Sequence, residues 1–346
     1  MTAFASFKKE ISSPRNIFIT THVKPDADAL GSSLGLANYL IKKGHKVTVV
    51  TPTDYPYFLT WMKGNDDVID FSVPKNVPKV KKALKEADIV FCLDFSVLGR
   101  VNELGEMIRE SDSFVVNIDH HQEPEDFADY RLWSTEAAAT CELVYELIAK
   151  LGDKKLIDTD IAECLYAGIM TDTGGFKHPN TTKNVHHVVA DLIEIGADNT
   201  KVANLIYDSN SVNRLKFIGF AISHRLIVRE DLHLAYFVIS KKDLKKYQHK
   251  TGDSEGLVNY ALSLEGIQMA ALFSEREDGV KISFRSTADV AVNKFAASYW
   301  NGGGHKNAAG GRSHLSLRAT VQRFEDLVEE KKEILFGSEV LEENPS

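Results

Sequence analysis

Short apolar runs alternate with amphipathic segments along the first part of the chain. Asn16 to Thr21 has the pattern of a buried strand, whereas Leu30, Leu34 and Leu40 recur at helical spacing, with Gly44 following as a stop signal. The predicted strands are 16–21, 46–51, 88–93 and 113–118, and the predicted helices are 28–43, 77–87, 101–110, 137–151, 159–170 and 184–195. This alternation predicts a largely parallel sheet.

The pattern changes after about Asp208. The elements predicted there are helices over 212–228, 289–300 and 317–336 and strands over 233–239, 268–274 and 280–285, before a tail, 337–346, that we expect to fray. We therefore predict an α/β fold. Residues 1–208 would form a mostly parallel sheet with helices on both faces, and residues 230–340 a smaller α+β domain across a cleft, with 209–229 as connecting helix and linker.

The composition is that of an ordinary globular protein. The 346 residues are 43% hydrophobic, and no apolar run reaches the roughly 20 residues of a membrane span. The N-terminal residues contain no apolar stretch suited to a signal peptide. Cys92, Cys141 and Cys164 are widely spaced, which favours core packing over a disulfide framework. We expect a cytoplasmic protein without a membrane partner.

The charge balance bears on possible partners. The formal net charge is −8 at pH 7. Proteins that bind long nucleic acids usually carry a basic surface, because much of their affinity comes from neutralising phosphates. The acidic balance therefore argues against a long nucleic acid as partner, although a local basic cluster would suffice for a few phosphates.

Carboxylate and imidazole side chains collect at the ends of the predicted strands. The carboxyl ends of parallel strands are where ligands gather in open α/β sheets. Such groups would repel one another or stay unsatisfied unless something neutralises them. His22, Asp94, Asp119 and His120 lie at the ends of predicted strands, and the whole set also includes Asp26, Asp28, His121 and Asp172.

This mixture of ligand types indicates metal ions. Histidines together with carboxylates suit manganese, iron, zinc or cobalt better than magnesium alone. Two such ions, about 3.5–4 Å apart, can activate a water molecule and hold a phosphoryl group. The set therefore predicts a site for two divalent ions.

Simpler roles compete with this interpretation for single residues. Asp28 alone could cap its helix. Asp26 and Asp28 also suggest a calcium loop, but Leu30 and Ala37 occupy the fifth and twelfth positions, where oxygen ligands are required. The calcium loop is therefore rejected.

Two further histidine positions are less informative. His186 and His187 lie in a helical segment without a suitably spaced carboxylate, so we interpret them as a surface or core pair. His178 is nearer to Asp172, and a substrate role for it stays open.

A glycine-rich segment, Gly302 to His305, is a second candidate site. It is not a P-loop, because His305, Lys306 and Asn307 replace the Lys-[Ser/Thr] ending. A plain turn is the simplest interpretation, but successive glycines let the backbone approach an anion closely. Arg285, at the end of a predicted strand, could add a bidentate phosphate contact.

These motifs resemble, in order and spacing, those of the DHH phosphoesterases. The Gly-Gly-Gly-His loop is similar to the hallmark of the DHH-associated C-terminal domain. The four motifs of the catalytic domain are matched by His22-x-x-x-Asp26-x-Asp28, Asp94, Asp119-His120-His121 and Asp172. The resemblance covers nearly the whole chain. The compact length is most like the stand-alone nano-RNases that also dephosphorylate 3′-phosphoadenosine 5′-phosphate (pAp).

The resemblance implies a role for each matched residue. Asp94 would bridge two ions and act as a catalytic residue, while His121 would be catalytic and bind the scissile phosphate. Asp119 would orient His120. The remaining ligands would be His22 and Asp26 for one ion, and Asp28, His120 and Asp172 for the other. The substrate's other phosphate and its sugar–base portion would be held by Arg285, Gly303, Gly304 and His305.

The resemblance also implies a function. The enzyme would hydrolyse very short RNA or linear dinucleotides to mononucleotides and remove the 3′-phosphate of pAp. Its cofactors would be two Mn²⁺ ions per chain, with Mg²⁺, Co²⁺ or Zn²⁺ as substitutes. Its partners would be short single-stranded RNA, dinucleotides and pAp, and monomer and homodimer both stay open. Alternatives are a cyclic-dinucleotide phosphodiesterase, an inorganic pyrophosphatase, and a non-catalytic nucleotide-binding sensor, which would need no intact metal set.

Overall fold

The structure, a computed structural model, describes residues 3–287 and 289–336. The chain divides into two compact units, the first ending at Ser209 and the second beginning at Asn210. Within the described ranges, none of the helices combines the length and apolar character that crossing a bilayer requires. The predicted fraying of the tail falls outside these ranges.

The first unit is built on a parallel sheet. Its strands are β1 (Asn16–Thr21), β2 (Lys46–Thr51), β3 (Ile69–Asp70), β4 (Ile89–Leu93), β5 (Phe114–Asp119) and β6 (Tyr130–Trp133). They lie in the order β3-β2-β1-β4-β5-β6. Thr21 is in register with Leu93, and Leu93 with Ile118. The carboxyl ends of β1, β4 and β5 therefore lie side by side, and the residues that follow each strand reach the same edge of the sheet.

Helices cover both faces of this sheet. They are α1 (Ala3–Glu10), α2 (Ala27–Lys42), α3 (Val77–Lys85), α4 (Glu103–Arg109), α5 (Thr140–Lys150), α6 (Thr159–Asp172), α7 (Lys183–Ile195) and α8 (Asn199–Ala203). One apolar core joins α2, α5, α6 and α7 to one face, and a second joins α3 and α4 to the other. The predicted layering of the first domain is confirmed.

Helices α2 and α6 approach each other closely because α2 carries glycines on the shared face. A Cβ at Gly31 would collide with the backbone carbonyl oxygen of Cys164 in α6. A Cβ at Gly35, one turn later, would lie 2.7 Å from a methyl carbon of Leu165. The Leu165 side chain can rotate, whereas the carbonyl can move only if α6 shifts.

We expect Gly31→Ala to destabilise the protein by about 1–3 kcal/mol, the cost typical of overpacking a core. Gly35→Ala should cost less, because Leu165 can repack, whereas the gain of up to about 1 kcal/mol in helix propensity applies to both variants. Urea unfolding of both variants measures the difference. Equal losses would show that the α6 backbone is not the constraint.

The second unit contains a mixed sheet. Its strands are β7 (Leu226–Arg229), β8 (Leu234–Ile239), β9 (Met269–Arg276), β10 (Gly279–Ser286), β11 (Gly303–His305) and β12 (Ala308–Ser313), and its helices are α9 (Val212–His224), α10 (Lys241–Lys246), α11 (Leu257–Leu262), α12 (Val292–Tyr299) and α13 (Leu317–Phe336). The strand order is β11-β12-β10-β9-β8-β7. Helices α12 and α13 pack on one face and α9 and α11 on the other. The predicted α+β character is confirmed.

The predicted helix over 212–228 is wrong at its end. Helix α9 stops at His224, and β7 follows, paired antiparallel with β8. The Arg225 side chain between them donates two hydrogen bonds of 2.9 Å to Asp243, which fixes the turn. The β-branched residues Ile227 and Val228 suit a pleated strand, so pairing with β8 overrides the helical spacing of the sequence.

Candidate metal centre

The ends of three adjacent strands bring the predicted ligands together. His22 directly follows β1, Asp94 follows β4, and Asp119 is the last residue of β5, with His120 and His121 after it. His22, Asp94 and His120 are buried, with 6%, 2% and 5% of their surface exposed. Because the strands are parallel and in register, residues distant in the chain become neighbours at one edge.

Asp94 lies at the middle of this cluster. Its Oδ2 is 3.3 Å from His22 Nε2, and its Oδ1 is 3.5 Å from His120 Nε2. Its backbone has the left-handed φ of 65°, a conformation that aspartate tolerates better than most residues. Each carboxylate oxygen therefore faces a different imidazole, the arrangement expected of a carboxylate shared by two ions.

The first group of ligand atoms comes from His22, Asp26 and Asp94, which lie within 4.8 Å of one another. Asp26 Oδ2 is 3.8 Å from His22 Nε2. The other oxygen of Asp26 accepts hydrogen bonds from the backbone N–H groups of Asp28 and Ala29, at 3.1 and 3.0 Å. The capping role considered for Asp28 therefore belongs to Asp26, whose second oxygen faces the site.

The second group of ligand atoms comes from Asp28, Asp94 and His120, again within 4.8 Å. His120 Nε2 is 3.9 Å from Asp28 Oδ2 and 3.5 Å from Asp172 Oδ2. Asp28 is fully buried and accepts backbone N–H groups of Thr140 and Cys141 at 2.7 and 2.8 Å. The start of α5 therefore fixes this carboxylate, as helix N-termini do for anions.

Backbone carbonyls orient both buried histidines. His22 Nδ1 lies 2.8 Å from the carbonyl oxygen of Val23, and His120 Nδ1 lies 3.3 Å from that of Ala137. A carbonyl can only accept, so Nδ1 carries the proton when the ring is neutral, and Nε2 presents its lone pair to the cluster. Metal-binding histidines are commonly held in this way.

The resemblance assigns Asp119 the role of orienting His120. Asp119 Oδ1 instead accepts a hydrogen bond from His121 Nδ1 at 2.8 Å. His121 Nδ1 also lies 3.6 Å from Asp94 Oδ1. Asp119 therefore fixes the ring of His121 beside the bridging carboxylate.

Two contacts at the site were not predicted from the sequence. Thr140 Oγ1 donates a hydrogen bond of 2.9 Å to Asp94 Oδ1. Trp133 Nε1 donates one of 2.6 Å to the carbonyl oxygen of His121. Neither residue belongs to a recognisable motif, and only the pairing of β6 with β5 and the position of α5 bring them to the site.

The electrostatics of the cluster favour the binding of cations. Burial, followed by the charge of Asp94, raises the pKa of Asp28 to about 8. Burial and the charge of Asp28 likewise raise the pKa of Asp172 well above its usual range. Burial opposes ionisation of Asp94, but hydrogen bonds from His120 and His22 outweigh it and hold its pKa well below the usual range. Divalent cations would stabilise all three carboxylates as anions, and the oxygen and imidazole donors suit them.

The other histidines and the cysteines lie outside these groups. His178 Nδ1 is 3.3 Å from the carbonyl oxygen of Asp172, so it is near the site. His186 and His187 are in α7 and belong to no ligand cluster among the residues that the structure describes. All three cysteines are buried and free, which confirms the core interpretation.

In the second unit, strand register aligns the predicted substrate-binding residues. Arg285 of β10 pairs with Ala308 of β12, which pairs with His305 of β11. Residues level with one another in a sheet point to the same face, so the side chains of Arg285 and His305 share a face. Two residues before His305 on β11, and therefore on the same face, Gly303 has no heavy atom within 4 Å of a hypothetical Cβ. Gly304 has a φ of 140° and is required by the close approach of β12.

The comparisons with known proteins agree with this architecture. The DHH family N-terminal domain matches residues 16–169, and the DHHA1 domain matches residues 233–335. A bifunctional oligoribonuclease and PAP phosphatase NrnA from Thermus thermophilus is 31% identical over 335 residues, covering 96% of this chain and 94% of the relative. A probable bifunctional oligoribonuclease and PAP phosphatase NrnA from Streptococcus mutans is 28% identical and covers 97% of this chain and 100% of the relative.

A solved structure is similar in backbone to nearly all of the chain. An exopolyphosphatase-related protein from Bacteroides fragilis is 34% identical, has a TM-score of 0.90, and covers 96% of this chain and 97% of its own. The two domain families match both halves of the chain, and the relatives cover nearly all of it, so both findings assign the chain to one family. The chain belongs to the DHH phosphoesterase family, with a DHH domain followed by a DHHA1 domain.

Proposed function

We propose that this protein is a metal-dependent hydrolase that cleaves very short oligoribonucleotides, including linear dinucleotides, to mononucleotides and removes the 3′-phosphate of pAp. The observation that carries the proposal is the position of Asp94 between two groups of ligands, with His121 beside it. The names of the Thermus thermophilus and Streptococcus mutans relatives support the substrate class. The cytoplasmic location stays a prediction from the sequence, which left the oligomeric state open.

The metal ligands would be divided between two ions. When bound, two divalent ions supply activation of water and neutralisation of charge on the phosphoryl group. We propose Mn²⁺ for both positions, with Mg²⁺, Co²⁺ or Zn²⁺ as substitutes, because imidazole and carboxylate are both present. One ion would be held by His22, Asp26 and Asp94, and the other by Asp28, Asp94, His120 and Asp172.

His121 would act on the substrate rather than on an ion. Asp119 Oδ1 accepts a hydrogen bond of 2.8 Å from His121 Nδ1, and this bond fixes the plane of the imidazole ring. Its Nε2 is then the atom that would contact an oxygen of the scissile phosphate and pass a proton toward the leaving group. Trp133 restrains the same residue through the backbone carbonyl.

The second unit would bind the rest of the nucleotide. Its sheet presents Arg285 and His305 on one face, which Gly303 of β11 shares. The planar guanidinium of arginine suits bidentate binding of phosphate. The bare backbone at Gly303 leaves room for a sugar or base to approach.

Arg285→Ala and His305→Ala should chiefly harm hydrolysis of a dinucleotide and spare a p-nitrophenyl phosphodiester. Residues that bind the remote parts of a substrate orient it for reaction. A small substrate lacks those parts, so its hydrolysis does not depend on these residues. Arg312→Ala is the matched control, since it removes a cation that is paired with Asp278 at 3.1 Å. Equal losses on both substrates would mean that Arg285 and His305 do not recognise nucleotides.

A ladder of RNA lengths tests the proposed function itself. Activity per end on 5′-labelled RNAs should fall steeply beyond about three to five nucleotides, the span of a short binding groove. With a net charge of −8, the salt dependence should be shallow, because few phosphates are neutralised. The assay includes pAp, a cyclic dinucleotide and pyrophosphate. Undiminished digestion of a twenty-four-mer, or a preference for cyclic dinucleotide or pyrophosphate, would overturn the proposal.

A further inference from the structure

Trp133 places a large aromatic ring in solvent beside the proposed catalytic residue His121. It is the last residue of the edge strand β6 and is 40% exposed. Its register partner on β5 is Asp119, the residue that holds His121. Its indole N–H donates to the carbonyl oxygen of His121 at 2.6 Å, and His121 lies 3.6 Å from Asp94. Two contacts therefore link the indole to the bridging carboxylate.

The position of this ring is fixed rather than incidental. A tryptophan side chain has only two rotatable bonds, and a hydrogen bond from its N–H fixes the plane of the ring. Trp300 is 1% exposed, as is usual for a tryptophan that only fills a core. The indole N–H of Trp133 instead donates its hydrogen bond to the backbone of His121, while much of the apolar surface of the ring stays exposed to water.

We propose that Trp133 is a stacking surface for a nucleobase next to the scissile phosphate. The inference rests on the proposed function, because it needs a nucleotide substrate. Every base has a π face, so stacking holds bases without distinguishing their sequence. The same indole is hydrogen-bonded to the backbone of His121. A base stacked on it would therefore be positioned relative to His121, the residue proposed to act on the scissile phosphate.

Steady-state kinetics with two matched substrates tests the proposal. The full-length protein with added Mn²⁺ is assayed on a diribonucleotide and on an analogue that lacks the base but keeps both sugars and phosphates. Trp133→Ala should raise KM for the diribonucleotide roughly 5- to 100-fold, the effect of losing one stacked base. KM for the abasic analogue should change by less than about two-fold. Trp133→Phe keeps a ring and should restore most of the diribonucleotide affinity.

Intrinsic fluorescence supplies a binding measurement that does not depend on turnover. Addition of AMP to the Mn²⁺-loaded wild-type protein should quench tryptophan emission, because a stacked base contacts the indole. In Trp133→Phe, only Trp61 and Trp300 emit, and the AMP-dependent quenching should be lost.

The outcomes separate this inference from the proposed function. A wild-type protein that hydrolyses the diribonucleotide, together with an unchanged KM in Trp133→Ala, would overturn the stacking role alone. Equal losses on the normal and abasic substrates, with Trp133→Phe as impaired as Trp133→Ala, would show that the indole only positions His121 and would also overturn it. A wild-type protein that hydrolyses no nucleotide would overturn both.

Discussion

Asp94→Asn is expected to lower kcat/KM for a dinucleotide by at least about 10²–10³-fold, as loss of a strong electrostatic stabiliser does. The substitution removes the one negative charge that faces both His22 and His120. Asparagine has the same shape and also tolerates the left-handed backbone of this position. The side chain could still accept the hydrogen bond from Thr140, so the fold should be preserved and the loss should come from charge.

Kinetics and metal analysis of the same preparation check this prediction. Asp191→Asn is a suitable control, because Asp191 is a partly exposed carboxylate outside both ligand groups, where it pairs with Lys154 and accepts a hydrogen bond from Tyr145. Its substitution removes the same charge from the chain without touching the site. Full activity of Asp94→Asn with two bound ions would contradict the proposal that Asp94 is shared by both ions.

His120→Ala and His121→Ala should fail in different ways. His120 Nε2 faces three carboxylates. Its loss should lower the affinity for one of the two ions by at least about 10–100-fold, because that is already the effect of losing a residue that only supports a ligand. His121 is bonded to Asp119. Its loss should leave metal content near normal and reduce kcat about 10²–10⁴-fold, the usual contribution of a general acid or base.

Metal analysis after dialysis, together with kcat at saturating Mn²⁺, separates the two variants. Excess Mn²⁺ should partly restore His120→Ala but not His121→Ala, because only the former has a binding defect. Equal metal loss in both proteins would refute the division of roles between these adjacent histidines.

The central strands were predictable because their sequences carry local information. Asn16–Thr21 and Lys46–Thr51 are short β-branched runs followed by polar residues, and the observed bounds agree with the predicted ones. Strand β6 was not predicted, since Tyr130–Trp133 is only four residues long, too short a run to signal a strand. Its formation depends on pairing with β5. Strand β11 was not predicted either, because its glycines do not signal a strand.

The cluster of ligands was predictable, but the partner of each side chain was not. The spacing of motifs places His120 and His121 at one strand end, yet adjacent residues point in different directions there. Which imidazole reaches Asp119 depends on the turn after β5, a feature that no pattern in Asp119-His120-His121 specifies. The contact from Thr140 to Asp94 depends on the packing of α5, which is again determined by the tertiary fold.

The proposed ligands come from four separate segments between His22 and Asp172, all in the first unit. An unfolded chain would scatter them, so the ions would bind the folded first unit far better than its unfolded form. Ligands that bind only the native state stabilise it in proportion to the logarithm of their concentration. The thermal stability of the first unit would thus rise with the amount of metal that the protein has bound.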